Sequence, residues 1–239
     1  GYWASWKKEL ELADAIVVNS EWSMRGLEAI GVNRSKISVI PLAFCERRSR
    51  LCRAPNRGKR RVLRVLFLGQ VIARKGINEL LEAALILERR GVRVEITVAG
   101  WGDQRLIERV EKCSLCRFIG SVGKADIDRV YSEHDVFILP TWSDGFAITQ
   151  LEALAAGMPV VVSDRCARVV RDGENGVVLP EVSGMVIADT LERLESNRQI
   201  VWQMSQAAGR VDERFSLRSV GLSWVGVVDR VCRMCEWDK

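Results

Sequence analysis

Two carboxylates near the middle of the chain could bind the hydroxyl groups of an extended ligand. Asp144 lies in the segment Thr-Trp-Ser-Asp-Gly-Phe, and Glu152 follows eight residues later. On one continuous helix this spacing gives a rise of about 12 Å and a rotation of about 80°, so both side chains would share a broad face. Apolar residues flank Glu152, and a carboxylate in such surroundings needs hydrogen-bond donors. Ligand hydroxyls would supply them. The alternative is a structural ion pair with a nearby arginine.

A second segment, Gly69-Gln-Val-Ile-Ala-Arg-Lys-Gly76, places two cations directly before a predicted helix. Arg74 and Lys75 could meet a diphosphate there, helped by backbone N–H groups of the loop and of the helix start. An ordinary exposed turn has a similar composition. Taken alone, this segment leaves both interpretations open.

The seven cysteines include two Cys-x-x-Cys pairs, Cys113/Cys116 and Cys232/Cys235. Four thiolates could form a tetrahedral zinc site if the fold brought both pairs together. Cys116 and Cys232 are 116 residues apart, much farther than in a compact zinc module. We therefore favour free and mostly buried thiols over zinc. The odd number of cysteines favours a reducing compartment.

Basic residues are concentrated in one stretch, although the net charge of +5 is mild. Nine lysines and arginines, and no acidic residue, occur between Arg47 and Arg64. Such a stretch can attract the phosphates of nucleic acid or anionic lipid. Because runs of like charge are often flexible and solvated, we favour a linker between domains and expect no nucleic-acid partner.

The elements that must position these residues alternate between strand and helix. Strands are predicted at 15–19, 37–40, 62–68, 94–99, 117–119, 136–139, 160–163 and 176–179, and helices at 21–30, 76–90, 103–112, 125–133, 147–156 and over most of the chain after 185. Ser20 is the predicted N-cap of the first of these helices. In helix 76–90 the residues predicted to face inward are Leu80, Leu81, Ala84, Leu85 and Leu87. This alternation predicts an α/β fold with a doubly wound parallel sheet, which binds its ligand beyond the carboxyl ends of the strands.

The segment that begins at Asp144 resembles the signature of glycosyltransferase family 4, whose members are retaining enzymes with the GT-B fold. The pattern is acid-Gly-Phe-x5-Glu-Ala-x-Ala-x-Gly-x-Pro-Val-Val. It is matched in register by Asp144, Gly145, Phe146, Glu152, Ala153, Ala155, Gly157, Pro159, Val160 and Val161. The loop from Gly69 to Gly76 resembles the phosphate loop of the family, and residues 170–176 resemble its downstream turn. The resemblance covers nearly the whole chain.

The resemblance implies a fold and a domain arrangement. The expected fold is the Rossmann-like, doubly wound parallel sheet of a GT-B C-terminal domain, with a partial second domain. Residues 1–41 would be a remnant of the N-terminal acceptor domain and residues 42–61 a basic linker. Residues 62–215 would bind the nucleotide sugar, and residues 216–239 would form a C-terminal helix. Most of the acceptor domain would then lie outside this sequence.

The resemblance also implies roles for individual residues. In the catalytic set, Lys75 would neutralise the donor diphosphate, Asp144 would bind the transferred sugar and Glu152 would accept hydrogen bonds from the ribose. The donor-binding residues would be Gly69, Gln70, Arg74, Gly120, Val122, Gly145, Phe146 and Ala147. The nucleotide-diphosphate sugar is a co-substrate, and neither a metal nor another cofactor is implied.

Several positions depart from the family pattern. Gln70 stands where the family commonly has arginine, so one phosphate contact is in doubt unless Arg74 replaces it. Asp144 is one methylene shorter than the usual glutamate. Ala167 replaces a glycine that follows Cys166 in related subfamilies. His134, the only histidine, stands where the family has a small residue, and we predict a structural role for it.

The implied function is retaining transfer of a sugar from a nucleotide-diphosphate sugar to a hydroxyl acceptor, either a glycan or a lipid-linked molecule, in polysaccharide or glycolipid biosynthesis. Without the missing domain we expect donor binding with little turnover. The alternative is a non-catalytic nucleotide-sugar-binding subunit that needs a partner chain. The expected location is cytoplasmic, with peripheral contact at the cytoplasmic membrane face as a further implication. Apolar residues of the C-terminal helix predict self-association.

Overall fold

The computed structural model describes residues 2–45, 62–209 and 211–236. Most of the predicted basic linker, 42–61, lies outside these ranges, as does the end of the predicted C-terminal helix. Within them the chain forms an α/β structure of eight strands and nine α-helices.

The strands are short and are separated by helices. They are β1 (Ile16–Val18), β2 (Ile37–Val39), β3 (Leu63–Leu68), β4 (Val94–Ala99), β5 (Cys116–Phe118), β6 (Val136–Leu139), β7 (Val160–Ser163) and β8 (Gly176–Leu179). The helices are α1 (Tyr2–Leu12), α2 (Glu21–Ala29), α3 (Ile77–Arg89), α4 (Gln104–Glu111), α5 (Ile127–Glu133), α6 (Ile148–Ala155), α7 (Gly184–Ser196), α8 (Arg198–Ala208) and α9 (Leu217–Glu236). The sequence pattern did not predict α1.

Strands β3 to β8 form one parallel sheet in the order β5-β4-β3-β6-β7-β8. Every residue of β6 and β7 is buried, as expected for strands covered on both faces by helices. The chain runs outward from β3 to β5 and then returns to β6 on the other side of β3. This reversal places the carboxyl ends of β3 and β6 side by side, which is where such sheets bind ligands.

The buried face of α3 is shifted relative to the prediction, toward Ala83 and away from Leu85. Leu80, Leu81, Ala84 and Leu87 are buried as predicted, but Leu85 is 49% exposed. Because one residue adds about 100° of rotation, Leu85 lies beyond the edge of the buried face while Ala84 lies within it. The prediction that Leu85 faces inward was therefore wrong.

Strands β1 and β2 form a separate parallel pair near the start of the chain. The amide of Ser23 donates to Oγ of Ser20 at 3.1 Å, which confirms Ser20 as the N-cap of α2. Helix α9 contacts this unit, since Nη2 of Arg230 donates to Oγ of Ser38 at 2.7 Å. In the part of the chain that the structure describes, no helix is both long enough and apolar enough to cross a membrane.

Candidate functional site

The loop that follows β3 is held against the end of β6. Its last turn is a short 3₁₀ helix, Ala73–Lys75, and Gly76 then adopts a left-handed conformation with φ of 79°. A Cβ atom on Gly76 would lie 2.0 Å from the carbonyl oxygen of Pro140, the residue directly after β6. Only glycine permits both the dihedral angle and this approach. The backbone thus places Lys75 beside the chain that leaves β6.

Lys75 forms an ion pair with Asp144 through Nζ and Oδ2. Both side chains are mostly buried, with 13% and 14% exposed. The neighbouring backbone is also joined, because the carbonyl of Arg74 accepts from Oγ1 of Thr141 at 3.0 Å and from the amide of Trp142 at 2.8 Å. The structure therefore brings together two predicted catalytic residues that are 69 positions apart in sequence.

Asp144 lies before α6 and not on it, because that helix begins at Ile148. The continuous-helix geometry considered for Asp144 and Glu152 therefore does not apply. The amide of Asp144 donates to the carbonyl of Arg165 at 2.9 Å, which fixes the chain at the helix entrance. The Arg165 guanidinium lies over the Trp142 ring, 4.9 Å from its centroid.

The residues between Asp144 and α6 are closely packed. A Cβ atom on Gly145 would lie 3.0 Å from Oδ1 of Asn19, so α2 and its preceding turn lie against this segment. Phe146 is buried and packs edge-to-face on Phe215, with ring centroids 5.9 Å apart. Ala147 is the N-cap residue of α6. These contacts fix the backbone of residues 145–147 at the start of α6. These are the residues that we predicted to contact the donor.

Glu152 projects from the second turn of α6, and a tyrosine fixes its position. The hydroxyl of Tyr131 donates to Oε2 of Glu152 at 2.9 Å. Tyr131 is buried on α5, and burial, with a smaller contribution from the Glu152 charge, raises its pKa well above the ordinary value of 10.0. The phenol therefore remains a donor at neutral pH. A protein hydroxyl therefore supplies one of the donors that Glu152 needs, a source considered neither in the ligand nor in the arginine interpretation of the sequence.

The loops that follow β3, β4 and β5 are joined by backbone hydrogen bonds. The amide of Gly69 donates to the carbonyl of Ala99 at 3.0 Å, and that of Gly100 donates to Gly120 at 2.8 Å. Gly120 has a positive φ of 70°. Gln70 is partly exposed near the start of the first loop, and Val122 packs against the core. The predicted phosphate and base regions therefore lie along one edge of the sheet.

A buried amide–thiol pair lies behind the entrance to α6. Nε2 of Gln150 contacts Sγ of Cys166 at 2.7 Å, and both residues are almost fully buried. Burial raises the pKa of Cys166 to about 12. Burial also raises the pKa of Cys116, next to Cys113. Both Cys116 and Cys166 are therefore protonated at neutral pH.

The zinc alternative finds no support in the described residues, because no three of their His, Cys, Asp and Glu side chains group closely enough to bind a metal ion. The side chain of Cys235 lies outside the described part. His134 is buried, with Nδ1 at 2.6 Å from the carbonyl of Val130 and Nε2 at 2.7 Å from Oγ1 of Thr97. Since a carbonyl only accepts, Nδ1 carries the proton. These contacts agree with the structural role predicted for His134.

Sequence reasoning missed Tyr131 as part of this site. The chain contains only two tyrosines, and Tyr131 lies on the apolar face of a predicted helix, where a phenol usually finds a partner. A tyrosine at such a position predicts a hydrogen bond, but the sequence does not identify the acceptor. Glu152 lies on another helix, 21 residues later.

The fold and this geometry together define a class. A doubly wound parallel sheet with a cation, two carboxylates and a helix entrance at its switch point is a Rossmann-like arrangement. Comparison with solved structures gives the same architecture. HepE from Anabaena, solved with UDP and glucose, has a TM-score of 0.77 and 16% sequence identity, covering 95% of this chain and 66% of HepE. The fold is that of GT-B glycosyltransferases.

The chain belongs to the family described as Glycosyl transferases group 1, which matches residues 53–211. One relative is the phosphatidyl-myo-inositol mannosyltransferase of Mycobacterium leprae, which is 30% identical over 233 residues, 90% of this chain and 56% of the relative. Another is the alpha-D-kanosaminyltransferase of Streptomyces kanamyceticus, which is 27% identical over 178 residues, 68% of this chain and 44% of the relative. The chain therefore spans about half the length of these relatives.

Proposed function

We propose that this chain binds the nucleotide-diphosphate sugar of a retaining glycosyltransferase, which transfers the sugar to a hydroxyl acceptor. The observation that carries the proposal is the Lys75–Asp144 pair at the entrance to α6. Glu152 lies farther along the chain, in the second turn of α6. A diphosphate needs a cation and the amides of a helix N-terminus, whereas the hydroxyls of a sugar and of a ribose need carboxylates. A nucleotide-diphosphate sugar needs these groups at adjacent positions.

Donor binding would exchange the partners of the ion pair. The Lys75 ammonium would leave the Asp144 carboxylate for the diphosphate oxygens, and Asp144 would accept from sugar hydroxyls instead. Each group would therefore keep a polar partner in a largely buried position, which limits the cost of desolvation. The existing pair keeps both groups in place before the donor arrives.

The transition state would be stabilised chiefly at the leaving diphosphate. Negative charge grows on its oxygens as the glycosidic bond breaks, and preorganised donors are most effective against developing charge. Lys75 would supply one such donor, and the amides of Gly145, Phe146 and Ala147 would supply others. Arg74, whose guanidinium is hydrogen-bonded to the Ser143 carbonyl, would take the place of the arginine that Gln70 replaces. No metal is required by this arrangement.

Glu152 would bind the ribose. Tyr131 holds Oε2 of this carboxylate, which leaves Oε1 to accept from a ribose hydroxyl. In the resembling family, retention involves attack from the face of the leaving group, with the leaving phosphate helping to take the acceptor proton. We extend that mechanism to this chain. One relative is named a phosphatidyl-myo-inositol mannosyltransferase, and another, from Erwinia amylovora, an amylovoran biosynthesis glycosyltransferase. These names support a lipid-linked or glycan acceptor, in glycolipid or polysaccharide biosynthesis.

Thermal shift with UDP, GDP, ADP and their sugar conjugates tests donor binding. A ligand that binds only the folded state raises the melting temperature. We expect one nucleotide series to raise it, and Lys75→Ala and Glu152→Ala to abolish most of the rise. UDP is the first member to test, because HepE was solved with it.

The matched control is Lys7→Ala, which removes an exposed lysine from α1. This variant should retain the full shift. If no nucleotide shifts the wild-type chain, or if Lys75→Ala and Lys7→Ala respond alike, donor binding at this site is wrong.

A further inference from the structure

One large aromatic side chain at the ligand edge of the sheet, that of Trp101, is exposed. Trp101 follows Gly100 in the turn after β4, and 64% of it is accessible to solvent. Two other tryptophans have partners, since Trp142 lies under Arg165 and Nε1 of Trp22 donates to Oγ of Ser143 at 3.1 Å. The indole face of Trp101 is therefore accessible to a ligand that reaches this edge of the sheet.

The backbone that carries Trp101 is tightly held on both sides. A Cβ atom on Gly100 would lie 1.8 Å from the carbonyl oxygen of Gly69, and one on Gly102 would lie 2.2 Å from that of Val71. Both glycines therefore allow direct backbone contact with the loop that carries Lys75. The chain cannot withdraw Trp101 from this edge without breaking that contact.

Hydrogen bonds connect residues 100–103 to both neighbouring loops. The amide of Val71 donates to the carbonyl of Trp101 at 2.8 Å, and the amide of Asp103 donates to the carbonyl of Val71 at 2.9 Å. On the other side, Gly100 donates to Gly120 at 2.8 Å. Trp101 is thus presented on fixed backbone between the predicted diphosphate loop and the predicted base region at Gly120 and Val122.

We propose that the Trp101 indole stacks on the nucleobase of the bound donor. This inference rests on the proposed function and adds to it the residue that covers the base. A diphosphate at Lys75 would leave the base to extend along the sheet edge toward Gly120, past the end of β4. Every nucleobase has an apolar ring face, so stacking here contributes affinity for any base. Choice among bases then falls to groups that contact the ring edge.

Isothermal titration calorimetry with a nucleoside diphosphate and with inorganic pyrophosphate separates base from phosphate binding. Trp101→Ala should raise the Kd of the nucleotide about 5- to 100-fold and leave that of pyrophosphate unchanged. Trp101→Phe keeps a ring and should recover most of the affinity. Trp202→Ala, on α8, is the matched control because Trp202 is 41% exposed. It should bind as wild type does.

The outcomes discriminate between the two proposals. Equal nucleotide affinity of Trp101→Ala and wild type, or an equal loss of pyrophosphate and nucleotide binding, overturns base stacking and leaves donor binding intact. Absence of nucleotide binding by the wild-type chain overturns donor binding itself, and base stacking with it. Unchanged melting temperatures of the unliganded variants would show that the exposed substitution leaves the fold intact.

Discussion

Two pairs of residues, Lys75–Asp144 and Tyr131–Glu152, hold the charged side chains of the candidate site in position. Each pair joins different elements and satisfies a partly buried charge within the protein. Charged groups that are already placed need little reorganisation when a ligand arrives, which favours binding and transition-state stabilisation. Lys75 and Asp144 would exchange partners on donor binding, whereas Tyr131 would keep Glu152.

Tyr131→Phe tests this positioning role. The variant keeps the buried ring but removes the donor to Glu152, so we expect the free energy of unfolding to fall by about 1 kcal/mol. Nucleotide affinity should fall by roughly 3- to 10-fold because Glu152 loses its orientation. Denaturant unfolding and calorimetry measure the two effects. An unchanged nucleotide Kd would mean that Tyr131 has a purely structural role.

Among the elements, the loops after β3 and β6 depend on their close approach at Gly76. This residue combines a left-handed conformation with direct contact to the Pro140 carbonyl. The approach sets where Lys75 meets Asp144. The contact between these loops is therefore part of the site as well as of the fold.

Gly76→Ala should reduce the free energy of unfolding by at least about 2 kcal/mol, because the added methyl group must displace the loop. Gly91→Ala is the matched control, since Gly91 has a φ of 69° and its added methyl group would meet no atom within 4 Å. It carries only the dihedral cost, about 1 kcal/mol. Urea unfolding compares the two. Equal losses would contradict the importance of the Pro140 contact.

In the molecule as a whole, α9 leaves an apolar stripe uncovered. Leu217, Trp224, Val225 and Val228 lie on one side of the helix and are between 48% and 65% exposed. Val220 is buried, and Arg230 anchors the helix to β2. A stripe of four exposed apolar side chains favours contact with another apolar surface.

We expect this chain to self-associate through α9. The double substitution Val225→Glu and Val228→Glu should shift the sedimentation profile toward monomer, because charge on the stripe opposes burial. Ser223→Glu adds a charge on the opposite side of α9 and should leave association unchanged. A wild-type chain that remains monomeric from micromolar to several hundred micromolar concentration would refute the prediction.

The sequence by itself determined the alternation of elements and the edge at which the site lies. Apolar runs such as β6, and glycines after strands, are local signals that can be recognised without knowing which elements pack together. They also placed the loop that carries Lys75 and the helix entrance after Asp144 at that edge. The family resemblance, confirmed by the match over residues 53–211, supplied the proposed roles of these residues.

Only the tertiary structure decided which side chains meet. The Lys75–Asp144 pair depends on β6 lying beside β3, and the Tyr131–Glu152 bond depends on how α5 and α6 pack. The exposure of Leu85 likewise depends on which side of α3 its neighbours, including α7, cover. Local periodicity reports that a residue is buried or exposed, whereas its partner is set by strand order and helix packing across long separations in the chain.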